Sequence, residues 1–585
     1  MAYMITDGRP TITTINNFLG LNMNETGETQ LKLGEASAMQ NFRITKDYKL
    51  EKMYGYKKLY DLQEQVRALW IGKLGETEVN VYVAGGTVYD GETELGTITD
   101  DDTTIFEFNK KLYIINGHEY KYWDGTTFGD VEGYVPLLKV ATTPEGVGTD
   151  LEPINLLSEY REVSFSADGT ATVYHLPETG ISNVTAKVNG TTTSVTVQSS
   201  AGTVTFSSAP AQGTDNVVVR YKKDNVETSL KENITKNKYA QTYGLADDTR
   251  VFLYGNADAK NRVYFSDLGN GVPDVTYFPA TNFIDVGSSN MAVTDISRQY
   301  DRLIISKESE AYYTTYDSIT DTTGQAIITF PTYPLNKAHG MLAKGQGQLL
   351  DNYVTTIDAS GIIQWINTQS KDERNANIIS GRVSEWLQDR DLSKAITMDY
   401  QEEKEYWLAI DNEVLVYNYA NSTFFIFNFP DNVRALTTYE NTIYMGTDTS
   451  VMKFENRLTT YNSQPIKAEW QGGFYDFEYE YRRKTMRILW ITLKPQEKTY
   501  MSVNYITDRN AGTNSKEISS QTFSYEYWNY GDFTYNSNVS VKPFRVKLKA
   551  KKFAFLKLII KNDKIDYKLI VDSISIQKAY GGFVK

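Results

Sequence analysis

RVFLYGNADAKNRVYFSDLGNGVPDVTYFPATNFIDVGSSNMAVTDISRQYDRLIISKESEAYY, residues 250–313, decides the fold class. Three short runs within it, Val251–Tyr254, Arg262–Ser266 and Leu303–Ser306, are rich in β-branched and aromatic residues. Each is bounded by Gly, Asn, Asp or Pro, as half-buried strands are. Strand follows strand with no room for a crossover helix. Parallel pairing needs a connection of about a dozen residues or more, so an antiparallel meander of small sheets in series is expected.

The rhythm extends outward on both sides. Upstream, Val79–Val83, a Gly85-Gly86 turn, Val88-Tyr89 and an Asp90-Gly91 turn lead to Phe106–Phe108 and Leu112–Ile115. An Asn116-Gly117 turn and Tyr120–Trp123 follow, before Asp124-Gly125. Asn-Gly and Asp-Gly between alternating runs are the strongest short hairpin signal. Two such units side by side at the spacing of a blade predict an all-β chain built on a β-propeller, although no WD or kelch signature is present. Downstream, Tyr353–Ile357, Ile362–Ile366, Tyr406–Ile410, Val414–Tyr417, Phe424–Phe427, Ile443–Met445 and Val451–Phe454 continue the pattern. One helix of about three turns is predicted over Asn377–Asp389, where Ile379, Val383, Trp386 and Leu387 share a face that packs on a sheet.

Composition sets the domain boundaries. Residues 1–60 read as an irregular N-terminal arm and 61–157 as the first part of the propeller. At 158–223 Tyr, Trp and Lys thin out and Thr, Val, Ser and Gly take over, with an Asn189-Gly190 hairpin and a turn at Pro210–Gly213. This stretch is expected to be an inserted small β-sandwich. Residues 224–460 complete the propeller, and 461–585 form a C-terminal β domain. Within Val541–Lys551, Phe544, Val546, Leu548 and Ala550 alternate with Arg545, Lys547, Lys549 and Lys551, giving one apolar and one basic face. Such lysines discourage edge pairing. The same face also suits docking on an acidic ring or on DNA.

Length and composition bound the function. A chain of 585 residues exceeds what one core holds, so several domains or a repeat architecture are expected. With no cysteine there is no disulfide framework, thiolate metal site or cysteine nucleophile. His118, His175 and His339 are scattered without ligand spacing, so neither a metal nor a cofactor is expected. No nucleophile-elbow or phosphate-loop motif occurs. Asp476, Glu478 and Glu480 read as a solvated strand face rather than a glycosidase pair. Ser166–Thr170 is only faintly similar to an Asp-box turn and does not recur. No catalytic residue is assigned, and no enzymatic activity is expected. A formal net charge of −13 argues against tight binding of nucleic acid over a large surface. The N-terminus lacks a basic region followed by an apolar core, and nowhere do 18 apolar residues run together, so neither a signal peptide nor a membrane span is expected.

A resemblance goes further than these patterns. Gly34-Glu35, Met39–Phe42, Lys49–Lys52 and Gly55-Tyr56 resemble the opening of phage tail-hub or nozzle proteins, the stabilisation proteins of short-tailed phages. The series continues through Ile154–Leu157, Phe252–Gly255, Val263–Ser266, Tyr277–Pro279, Ile284–Gly287, Tyr300–Glu308, Asn375–Arg382, Glu405–Trp407 and Arg483-Lys484. Residues 164–222 separately resemble the small β-domains of phage fibres and tails. The resemblance implies a structural virion protein of the tail, assembled in the host cytoplasm as a ring, commonly a homohexamer, below the portal and adaptor. It implies a propeller in each subunit, a channel through which phage DNA passes during ejection, and contacts with other tail proteins such as fibres, spikes or a needle. Two other classes stay open: a receptor- or glycan-binding tail or baseplate protein, and a glycoside hydrolase built on a propeller.

Overall fold

The computed structural model describes residues 9–24, 28–223, 228–244, 250–320, 326–366, 375–494, 496–509, 515–521 and 541–584. Among them the chain is all-β, with helices confined to Thr228–Thr235, Ser384–Gln388 and short 3-10 turns. It divides into two compact units, Met1–Ile71 with Leu342–Lys585, and Gly72–Met341.

The second unit holds antiparallel four-stranded sheets in series. One comprises Thr104–Phe108, Lys111–Ile115, Tyr120–Trp123 and Phe128–Asp130. The next comprises Tyr239–Tyr243, Arg250–Tyr254, Arg262–Phe265 and Phe283–Asp285, and the third Val293–Gln299, Arg302–Lys307, Ala311–Thr315 and Thr332–Asn336. A further sheet starts in the strand Val66–Leu74, which carries the chain across the unit boundary, and adds Thr77–Ala84, Thr87–Asp90 and Thr93–Thr97. The predicted turns are where tight hairpins need them: Gly91 and Gly117 have φ of 59° and 86°, which costs glycine nothing. The first strand at 104–108 lies beside that at 239–243, which in turn lies beside that at 293–299. Aromatic residues fill the space between sheets: Phe330 meets Phe252 and Phe265 edge-on at 5.0 and 4.9 Å.

Around a core of Val163, Phe165, Tyr174, Val204, Phe206, Val219 and Tyr221 among others, a larger and a smaller sheet pack together in the region expected to be an inserted sandwich. Its larger sheet runs in the order Thr149–Asp150, Leu137–Thr142, Tyr160–Ala167, Gly213–Lys223, Ile181–Val188, Thr191–Thr193. The module therefore recruits 137–150 as well as 158–223. Between these two pieces the chain returns to its host. Leu156 and Leu157 are buried with Phe278 and Tyr120, and the Asn155 amide donates to the carbonyls of Tyr134 and Thr276 at 2.8 and 2.9 Å.

The first unit repeats the four-stranded pattern at 348–378 and 396–428, and its third sheet shows how the series ends. Ala435–Tyr439, Thr442–Gly446 and Ser450–Phe454 are completed by Tyr56–Asp61, from the other end of the chain, with Phe454 opposite Tyr56 and Ser450 opposite Asp61. The small pair Thr460–Tyr461 and Gln464–Pro465 extends this sheet to six strands. Gly55 admits the close approach of 460: a Cβ there would stand 1.9 Å from the Thr460 carbonyl oxygen. First strands again adjoin, 348–350 with 396–400 and 396–400 with 435–439.

Two larger sheets make up the rest of this unit, and both are mixed from the chain's ends. Pro10–Ile15 pairs with Ile570–Phe583, which also takes Leu50–Lys52 and Arg482–Leu493. Glu35–Gln40 pairs with Ala468–Gly472. Within 1–60, expected to be an irregular arm, Pro10–Ile15, Glu35–Gln40, Phe42–Ile44 and Leu50–Lys52 are strands of these sheets. Their apolar residues are few because neighbours distant in sequence supply the burial. The helix expected over Asn377–Asp389 is also shorter. Ala376–Ile378 pairs with Gly361–Trp365, and helix proper is limited to Ser384–Gln388 after a 3-10 turn at Gly381–Val383. Trp386 and Leu387 are buried as expected.

Replacing both 137–150 and 160–223 by short Gly/Ser linkers should leave a host that melts in one cooperative step. Replacing 160–223 alone should strip Leu138 of its partners and lower soluble yield. Equal yields and melting for the two deletions would show that 137–150 belongs to the host.

Candidate interaction surface

The basic strip survives folding with its alternation intact, although it is not one strand. Lys542–Val546 and Ala550–Phe553 both pair with Arg482–Leu493, and 547–549 bridges them. Val546, Leu548 and Ala550 are buried at 6%, 1% and 3% exposure. Arg545, Lys547, Lys549 and Lys551 are exposed, and none has a side-chain hydrogen bond or ion pair to a described residue. Lys542–Val546 ends its sheet among the described residues, so it presents an edge as well as a charged face.

The sequence reading passed over a second surface of opposite sign. Between Asp90 and Asp102 stand six carboxylates, Asp90, Glu92, Glu94, Asp100, Asp101 and Asp102, and no cation. The strand Thr93–Thr97 ends its own sheet. Asp90 accepts from the Asn80 amide at 2.9 Å, and Asp101 is held by Lys238 at 2.7 Å. Glu92, Glu94 and Asp102 are exposed, with no side-chain hydrogen bond or ion pair to a described residue. The signal was a charge run rather than a periodic pattern.

The remaining chemical candidates are dispersed. Asp476, Glu478 and Glu480 lie on and beside a turn, not on a strand, and the Asp476 carboxylate accepts from the Glu478 amide at 3.0 Å. Asp168 closes a tight turn by accepting from the amides of Thr170 and Ala171 at 2.8 and 2.7 Å, and these bonds hold its pKa below the ordinary value. His118 faces Asp101 at 3.1 Å. Among the described residues no three His, Asp or Glu side chains converge as a metal site would require, and no helix is long and apolar enough to cross a membrane.

A polar cavity of about 290 Å³ lies in the first unit, lined by Arg43, Glu51, Lys52, Tyr54 and Tyr400 among others. At its floor the Arg43 guanidinium donates from Nη2 and Nε to Glu405 Oε1 at 2.6 and 3.1 Å. Burial opposes the charge on Arg43, but the carboxylates of Glu405, Glu51 and Glu403 outweigh it and hold its pKa above the ordinary value. Burial raises Glu405, and Arg43 partly opposes that rise. The Lys52 ammonium donates to Asn562 Oδ1 at 3.0 Å and to the carbonyls of Lys564 and Tyr567 at 3.1 and 3.3 Å. These are fixings between strands, and the cavity brings no nucleophile and base together.

No family model and no curated protein matches the chain. Solved structures are similar to it only distantly. The computationally designed Ika8 protein is 11% identical, with 68% of this chain and 99% of that one covered at a TM-score of 0.30. BamB from Moraxella catarrhalis is 10% identical, with 76% and 97% covered at 0.30. An exo-β-1,3-galactanase from Phanerochaete chrysosporium is 8% identical, with 82% and 96% covered at 0.18. Likenesses this slight carry no argument about the chain.

Burial pushes Lys52 down to about 8, and Asp563 only partly opposes it. In the unfolded chain a lysine titrates at about 10.4. Between these values the unfolded state keeps a proton that the folded state has released, so the Lys52 contribution to stability grows as pH rises from about 8 to about 10. Urea unfolding at pH 7.5 and 9.5 should therefore show a smaller gain in Lys52→Met than in the natural sequence. Identical gains would contradict the assignment.

Proposed function

We propose that this chain is a structural protein of a phage tail, the subunit of a hub or nozzle ring that sits below the portal and adaptor and conducts the genome during ejection. The observation that carries the reading is the ordered series of motifs, from Gly34-Glu35 to Arg483-Lys484, that resembles tail-hub proteins across most of the chain. The fold is consistent with it. We take the successive four-stranded sheets as blades of a β-propeller, on the ground that their first strands adjoin within each unit and that the last sheet is completed by Tyr56–Asp61. Completing the last sheet with a strand from the opposite chain end ties the two ends of the series together, which suits a part that stands mechanical load. The reading assigns the chain no catalytic step and no cofactor. Its partners are further copies of itself, the portal or adaptor, other tail proteins and, transiently, DNA.

Mass photometry of the purified chain should give one closed assembly of defined mass, with electron microscopy showing an open centre. A single-copy species at all concentrations, together with a signal on a glycan array, would replace this reading with a receptor-binding one.

A further inference from the structure

We infer that copies of this chain join head to tail, the basic strip Arg545, Lys547, Lys549 and Lys551 of one copy seating on the acidic edge Glu92 and Glu94 of the next. This rests on the assembly reading above and names its contact. Arg545, Lys547, Lys549, Lys551, Glu92 and Glu94 are exposed, lie in or beside strands that end their sheets among the described residues, and have no side-chain hydrogen bond or ion pair to a described residue. Each is of one sign: 90–102 contains no cation, and 544–551 contains no carboxylate.

Charge decides the occupant. With a formal net charge of −13, two copies repel unless a contact brings opposite signs together. Screening over about 8 Å at physiological ionic strength confines that attraction to the contact itself. In a two-fold contact the strip of each copy would meet the edge of the other and stop at a dimer, so the ring proposed above selects the head-to-tail form. A heterologous contact sets cation against carboxylate, and repeated head to tail it closes into a ring when the rotation per copy permits. Isolated exposed pairs contribute little to stability. Several opposed charges shielded together at an interface set register and reject wrong partners. Nucleic acid is the weaker candidate for the strip, because the acidic charge of the rest of the chain opposes a polyanion.

The test uses the full chain and two reversed variants, Arg545→Glu/Lys547→Glu/Lys549→Glu and Glu92→Lys/Glu94→Lys, compared by mass photometry and sedimentation. The natural sequence should assemble at physiological salt and loosen in 1 M NaCl, an ionic strength at which screening reaches about 3 Å. Each variant alone should need at least about tenfold more protein to assemble. An equimolar mixture should recover the assembly, since each variant then offers the other an opposite face. If a reversed set melts early, Arg545→Gln/Lys547→Gln/Lys549→Gln replaces it and should weaken assembly by a smaller factor.

Variants that assemble like the natural sequence, or a mixture that stays apart, overturn the contact while leaving the ring reading intact. A natural sequence that never assembles overturns both. A strip variant that assembles normally and loses only retention on duplex DNA makes the strip a nucleic-acid surface and also overturns the inference.

Discussion

The first unit depends on strand pairing between the two ends of the chain. Pro10–Ile15 lies against Ile570–Phe583, Glu35–Gln40 against Ala468–Gly472, and Tyr56–Asp61 against Ser450–Phe454. Each of these long-range ladders satisfies backbone groups that would otherwise be left open at a sheet edge, where they invite pairing with other chains. The cost is kinetic. Contacts of such sequence separation close late, so the N-terminal strands wait for the last part of the chain to be made before they find partners.

Polar side chains fix the register of this seam. Asn41 donates to the Lys467 carbonyl at 2.9 Å and accepts from the Asn428 amide at 2.9 Å, joining three segments through one residue. Arg43, in the strand Phe42–Ile44, meets Glu405 where both are almost fully buried. A buried ion pair of this kind contributes little net stability, but removal of one partner leaves an uncompensated charge and costs about 3–5 kcal/mol. Its effect is specificity: a one-residue slip of 42–44 would put Phe42 or Ile44 opposite the carboxylate. Tyr56 adds an apolar anchor, stacked on Tyr461 at 4.9 Å and edge-on to Phe429 at 5.7 Å.

Hairpins were legible in the sequence because their signals are local. Asp90-Gly91 and Asn116-Gly117 carry both the turn chemistry and the flanking alternation within a few residues. The change of composition at 158–223 was legible, but the part played by 137–150 was not, since Leu137–Thr142 has the composition of its neighbours and joins this core through parallel pairing with Tyr160–Ala167 and the packing of Leu138. Glu35–Gln40, EASAMQ, has weak strand propensity and is held extended by Ala468–Gly472. The periodicity over 377–389 overstated the helix because a sheet claims its first residues. At the candidate surface, the alternation of Arg545 to Lys551 exposed the basic face, whereas the acidic run at 90–102 lacks a period, and the edge position of Glu94 shows only in the sheet order.

Hydrogen exchange followed by mass spectrometry tests the seam most directly. If the two ends hold one another, amides in 10–15, 35–61, 450–472 and 570–583 should exchange slowly and become exposed together as denaturant is raised. Rapid exchange of 10–61 while 468–583 stays protected would show that the C-terminal sheets stand without the N-terminal strands, and would contradict the account.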